Sequence, residues 1–478
     1  MPTITGVSSA ERRAPWAWLA LTTLTLVVLA AVLVPWDWLP GGSSASVDPT
    51  AGLPADTLAA IDDYRDTVVP LGLAGTAVSL AVALGLALTP IGARLVRRLP
   101  GQRWWPLHLA VTVLTLIVIG RLAVLPLAVP AELAQRDAGL STQNWPSWTL
   151  DVARGVLVEA VATTLALLVI VGLARWGRQG WWWLASVLAG AFVVAGSFLY
   201  PLLVEPVFND FEPMRAGPLR TSLVELAAED GMAVDEVLVA DASRRTTALN
   251  AYVSGLGSSR RIVVYDTLLD GAPDDQVRLV VAHELGHAEA DDVLVGTSLG
   301  ALGAVAGITL LVLVAGSGPV RRRSSVRTLG AVEVVPLALG LAAVATLLSL
   351  PAQNLVSRAV EARADVHALG LTGDVRTFAA MQRRLATANL SDPDPPRWLY
   401  GWFATHPTVT ERIALARGWE RGPSAQSQVV EEPLAARESQ GALMVPCVVC
   451  PSTSTPATTI AAMNAAMSPY STADAPVS

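Results

Sequence analysis

Long apolar runs separated by short polar breaks dominate the chain. A helix needs about 20 apolar residues to cross the hydrocarbon of a bilayer. Seven runs reach that length, at 15–36, 68–90, 105–129, 150–173, 181–203, 293–315 and 330–350. The first carries Trp at both ends and no small-residue cleavage site, so it reads as an anchor rather than a secretion signal. Between the fifth and sixth runs the pattern changes. RTSLVELAAEDGMA (220–233) has helical spacing, and VDEVLVADAS (234–243) reads as a strand. The stretch 246–269 reads as two strands joined by a Gly/Ser turn. DDQVRLVVAHELGHAEADD (274–292) follows Pro273 and reads as a helix with acidic residues in its first turn. Beyond the seventh run, NLVSRAVEARADVHALGL (354–371) is again helical, and further helices are predicted near 374–388 and 408–418. From about 421 the chain is rich in small and polar residues and reads as a disordered tail.

This pattern predicts a mostly α, polytopic membrane protein with about seven transmembrane helices and a small β-sheet. Its expected parts are an N-terminal tail (1–14), a five-span membrane region (15–203), a globular unit (204–420) interrupted by the last two spans, and a tail (421–478). Composition agrees: 52% of residues are hydrophobic and 15% charged, too apolar for an ordinary soluble protein. The net charge is −7, and no basic patch suggests nucleic acid. The only cysteines, Cys447 and Cys450, lie in the tail with no second pair, so neither a redox couple nor a metal site is expected there.

Every basic residue is arginine, and its placement predicts sidedness. Arg12 and Arg13 precede the first span; Arg94, Arg97, Arg98 and Arg103 lie between the second and third. Arg175 and Arg178 lie between the fourth and fifth, and Arg321, Arg322, Arg323 and Arg327 between the sixth and seventh. These breaks alternate, so they share one side, which the positive-inside rule makes cytoplasmic. Residues 204–292 and everything after 350 are then extracytoplasmic. Two charges, Arg121 and Glu159, fall inside spans and are expected to pair or to line a polar chamber.

The chemistry concentrates in AHELGH (282–287). On a helix, His283 and His287 share a face and can direct ring nitrogens at one ion, with Glu284 beside them. A hydrolytic zinc site needs a third protein ligand and an open position. Glu361 is the leading candidate, because two crossings return it to the side of HELGH. Asp365, one turn later, is placed to hold a histidine ligand by its second nitrogen. His367 is a weaker ligand candidate. Glu289, Asp291 and Asp292 read as the solvated end of the helix.

The stretches EPVFNDFEPM (205–214), ADASRRTTALNAYVSGLGSSRRIVVYDTLL (240–269), AHELGH, NLVSRAVEARAD (354–365) and THPTVTERI (405–413) together resemble the type I CAAX prenyl proteases. These are integral-membrane zinc metalloendopeptidases, with smaller bacterial heat-shock membrane proteases as relatives. The resemblance implies a gluzincin-type domain binding one Zn2+ per chain through His283, His287 and Glu361, with Glu284 as general base. It implies a catalytic or histidine-holding role for Asp365, and contacts to a peptide or protein substrate from Asn250, His406 and Arg412. Thr408 stands where the family often has a second proline. Prenylated substrates are not carried over; the expected substrates are membrane-associated or extracytoplasmic peptides. Two other readings are a site-two-type intramembrane protease, suggested by LLDG (268–271), and a catalytically silent membrane scaffold.

Overall fold

The computed structural model describes residues 9–39, 47–177, 179–234, 236–255 and 260–422. The Gly/Ser turn at 256–259, the tail from 423 onward, and Cys447 and Cys450 with it, lie outside the described residues.

Among the described residues, seven helices are long and apolar enough to cross a membrane, one for each apolar run. The chain begins with α1 (Ser9–Leu33), α2 (Ala55–Ala87), a short α3 (Pro90–Arg98), α4 (Trp105–Asp137), α5 (Trp145–Trp176) and α6 (Trp181–Leu203). Then come α7 (Glu205–Phe208), β1 (Phe211–Pro213), α8 (Pro218–Glu229), β2 (Glu236–Ala240), β3 (Ala251–Ser254) and β4 (Arg261–Tyr265). The rest is helical: α9 (Asp266–Gly271), α10 (Asp274–Glu289), α11 (Asp292–Gly316), α12 (Gly318–Ser324), α13 (Val335–Thr372), α14 (Val375–Ala388), α15 (Arg397–Phe403) and α16 (Val409–Arg421).

Several elements differ from the sequence reading. The seventh apolar run and the acidic helix after it are one helix, α13, with Pro351 inside it. A proline removes one backbone hydrogen bond, which a long, packed membrane helix tolerates. At 1.5 Å per residue α13 is about 57 Å long, against about 30 Å of hydrocarbon. Its second half therefore stands clear of the bilayer and carries Glu361 with it. The segment DTLL, expected to end a strand, is helical because the Asp266 carboxylate accepts the Thr267 and Ser243 N–H groups at 2.8 Å. The strand β1 and the helix α15 were not anticipated, being too short for periodicity to show.

Lipid is as apolar as leucine, so the bundle is held by close approach and polar stitches. A Cβ on Gly190 would lie 2.9 Å from Val305 Cγ2 and 3.1 Å from the Ala301 carbonyl, so α6 and α11 meet almost backbone to backbone. Gly340 lets α13 press equally close to Ala83 and Ala87 of α2. Ser197 and Thr297 hydrogen-bond at 2.9 Å between α6 and α11. The expected intramembrane pair forms: Arg121 Nη2 donates to Glu159 Oε2 at 2.9 Å, tying α4 to α5. Glu159 also lines a cavity with Ser79 and Thr163.

Outside the bundle, the sheet runs β1-β2-β4-β3, with β2–β4 parallel and both outer pairs antiparallel. Leu226 of α8, Ile262 of β4, Leu285 of α10, Leu369 of α13 and Phe378 of α14 are fully buried in one core. That core clamps α10 between the sheet and the emergent half of α13. The edge strand β3 packs beside α10.

Candidate metal centre

HELGH lies in α10, which is not one of the spanning helices. The site-two reading is thereby corrected: LLDG occupies α9 just ahead of α10, and the His pair belongs to a globular core. The ligand atoms of His283, Glu284 and His287 lie within 4.8 Å of one another. The two imidazoles stand nearly perpendicular, at 88°, with centroids 4.8 Å apart. His283 Nε2 and His287 Nε2 are 3.2 Å apart. Glu361 Oε2 is 3.2 Å from His283 Nε2, and Glu361 Oε1 is 3.5 Å from His287 Nε2.

The other ring nitrogens are occupied. His283 Nδ1 is 2.9 Å from Asp365 Oδ1, and His287 Nδ1 is 2.9 Å from Asp292 Oδ2. A carboxylate acceptor on each Nδ1 places the proton there and turns each Nε2 lone pair inward. Two lone pairs and a carboxylate then face one point, an arrangement that only a cation satisfies. Zinc–nitrogen bonds of 2.0–2.1 Å in tetrahedral geometry set neighbouring donors about 3.3–3.4 Å apart, the spacing found here. The residues fit a zinc ion. Burial alone would push the His283 imidazole down, but the Asp365 and Glu361 carboxylates outweigh it and hold it above its ordinary value.

Asp292 was read as solvated. Instead it is buried, bonded to His287 and paired with Arg363 of α13. The chain breaks between α10 and α11 at Asp291, with φ of 50°, and this turn swings Asp292 back under the ring. The acid just past the second histidine was the only available signal.

His367, the weaker ligand candidate, does not join the cluster. Its ring lies against Gly286, where a Cβ would sit 2.9 Å from His367 Cβ, and its Nε2 is 2.9 Å from Asp230 Oδ1. The glycine of HELGH thus lets α13 approach α10 closely enough for Glu361 to reach the histidines.

The resemblance implied a contact between Arg412 and substrate. Arg412 is fully buried, at 1% exposure. Its Nε donates to Asp365 Oδ2 at 2.7 Å, its Nη2 also pairs with Asp365, and that nitrogen is 3.3 Å from His283 Nδ1. The guanidinium sits behind the ligand, not in front of it. Asp365, fully buried, is likewise engaged from both sides. A capping box fixes the start of α16: the Thr408 hydroxyl accepts from Glu411 N–H and the Glu411 carboxylate accepts from Thr408 N–H. Thr408 does there what a second proline could not, and it aims Arg412 inward.

His406 does reach the cluster. Its Nε2 is 3.3 Å from Glu361 Oε1, and its Nδ1 is 2.8 Å from the Thr405 hydroxyl. Burial pushes its pKa down to about 4, so the ring is neutral near pH 7. Two residues not singled out earlier place this loop. Asn354 donates to the Trp402 carbonyl and Arg358 to the Ala404 carbonyl, each at 2.6 Å. Together with Glu361 and Asp365 they form one stripe along α13, a spacing that was legible but unassigned. Asn250 is buried just ahead of β3, and its carbonyl accepts from Tyr265 N–H at 3.0 Å.

A bundle of membrane helices carrying a histidine–glutamate cradle at one end defines a polytopic membrane metallopeptidase. The profile of peptidase family M48 matches residues 213–420, and that of the CAAX prenyl protease N-terminal region, described as five membrane helices, matches 133–210. Residues 213–420 are thus those of an M48 peptidase, and the chain as a whole resembles the CAAX prenyl proteases. It is 28% identical to the uncharacterized metalloprotease YhfN of Bacillus subtilis, over 86% of this chain and 98% of that one. It is 30% identical to the CAAX prenyl protease 1 homolog of Oryza sativa, over 58% of this chain and 65% of that protein. The crystal structure of S. mikatae Ste24p superposes with a TM-score of 0.68 at 18% identity, covering 84% of this chain and 98% of that one, and shares the fold.

Proposed function

We propose that this protein is a zinc-dependent endopeptidase that cleaves membrane-associated or extracytoplasmic peptides, one zinc ion per chain. The observation that carries the reading is the inward convergence of His283 Nε2, His287 Nε2 and the Glu361 carboxylate at 3.2–3.5 Å. Zinc held there supplies Lewis acidity, lowering the pKa of water to about 7 and polarising a carbonyl.

The chain's own groups do the rest. Glu284 takes a proton from the attacking water and returns it to the departing amine as the C–N bond breaks. His406, a neutral ring beside Glu361, donates to the oxyanion that develops on the carbonyl. Asp365 and Arg412 hold His283, and Asp292 holds His287, so neither ring turns when substrate enters. The edge strand β3 beside α10 supports an extended peptide binding by strand addition, with Asn250 at the head of the strand. The proposed division of labour follows the chain: 15–203 builds the membrane region, and 204–420, threaded through two further spans, builds the peptidase.

Removal of metal tests the reading. Dialysis of the purified protein against a strong chelator is expected to lower cleavage of an unstructured peptide by at least about 100-fold, and one equivalent of zinc to restore it. Full cleavage by the stripped protein would sink the proposal. The cytoplasmic placement of the arginine-rich breaks, which puts the zinc site outside, makes a second prediction. A reporter fused after residue 420 is expected to give an extracytoplasmic signal, and a cytoplasmic one would reverse the orientation.

A further inference from the structure

The end of the bundle opposite the zinc site carries a charge pattern that peptidase chemistry does not use. The helix α3 follows α2 without crossing the membrane. Its apolar face, Gly92, Ala93 and Val96, is buried, and a Cβ on Gly92 would meet the Leu86 carbonyl and lie 2.9 Å from Pro336 Cβ. The helix is therefore seated firmly on α2 and the start of α13. Its other face exposes Arg94, Arg97 and Arg98. The helix α12, which begins where α11 leaves the bundle, packs against α3 and exposes Arg322 and Arg323, with Arg327 just beyond.

Two facts give this surface a partner. First, none of these six arginines makes an ion pair with a carboxylate among the described residues. Arginines nearer the zinc site do: Arg65, Arg136, Arg154, Arg363 and Arg412 each sit against an acid. Only one acid, Glu333, occurs in the segments 88–104 and 316–334. Second, this end carries the indole rings of Trp104 and Trp176, 63% and 65% exposed, and Trp183 at 48%. Exposed tryptophan rings settle at the level of lipid headgroups. The arginines are thus held at headgroup depth, on rigid helices, with no internal counter-charge.

We infer that α3 and α12 form a collar that binds the phosphates of anionic lipids. Arginine's planar fork matches phosphate oxygens two at a time, and basic clusters beside a membrane span attract anionic headgroups. The proposal is independent of the zinc chemistry. Its effect is to anchor one end of the bundle against the bilayer surface and so hold the peptidase at a constant height on the other.

Native mass spectrometry of the full chain in detergent, titrated with phosphatidylglycerol or phosphatidylcholine, tests it. The wild type is expected to retain phosphatidylglycerol at least about fivefold over phosphatidylcholine. Arg97→Gln/Arg98→Gln/Arg322→Gln/Arg323→Gln is expected to lose that preference while keeping peptide cleavage. Equal retention of the two lipids by the wild type, or an unchanged preference in the variant, would overturn the collar. Displacement of the lipid by millimolar inorganic phosphate would show a free-phosphate site instead and overturn the lipid assignment. Should the variant fail to fold, a photoreactive phosphatidylglycerol reads the wild type directly. Cross-links are expected within 90–98 and 318–327; cross-links confined to other segments would reject the site.

Discussion

Glu284→Gln is expected to lower kcat by about 10²–10⁴-fold while leaving zinc content and thermal stability at wild-type values. The substitution keeps the shape of the side chain and removes its basicity. Its neighbours at the cluster are His283 and His287, whose Nε2 atoms lie 3.2 Å apart where the proposed zinc would be held. Their outer nitrogens are held by Asp365 and Asp292, so the cradle does not depend on Glu284 for its geometry. Metal analysis and peptide cleavage on one preparation separate the two roles. A Gln variant that still cleaves within tenfold of wild type would remove Glu284 as general base. One that loses its zinc would make it a ligand.

Arg412→Ala is expected to cost about 3–5 kcal/mol of stability, because it strips the cation from a fully buried Asp365 and leaves that carboxylate uncompensated. The damage should reach the metal as well. Asp365 holds His283 through Nδ1, and loss of such a partner weakens metal binding by about 10–100-fold. Removing both charges distinguishes this account from simple loss of packing. Arg412→Met combined with Asp365→Asn is expected to recover part of the stability, since no unpaired charge then stays buried. Thermal unfolding and zinc competition measure the two effects. Additive losses in the double variant would mean that the pair is not coupled as the geometry indicates.

The placement of Arg412 shows how far a motif carries. Its helix was foreseen, and so was its nearness to the active centre. Its partner, Asp365, was not, because helical periodicity gives a residue a face but not the group that face meets. Asp292 makes the same point in reverse. An acid after a helix ordinarily faces water, and only the left-handed turn at Asp291 brings it beneath His287. Asn354 and Arg358 were in plain view on the stripe that bears Glu361, yet what they bind are carbonyls of a loop 48 and 46 residues away in sequence, at Trp402 and Ala404. By contrast, the Arg121–Glu159 pair was legible, because two charges at matching depth in a bilayer have few alternatives to each other.

By itself the sequence determined the seven crossings, the helical spacing of the two histidines, and the parity that returns Glu361 to their side. These follow from local physics: apolar length against bilayer thickness, and 3.6 residues per turn. Only the tertiary structure decided that α13 runs unbroken out of the membrane, that Gly286 lets it close on α10, and that carboxylates from two different helices lock the two rings. Those outcomes depend on contacts between segments far apart in the chain, which no local periodicity encodes.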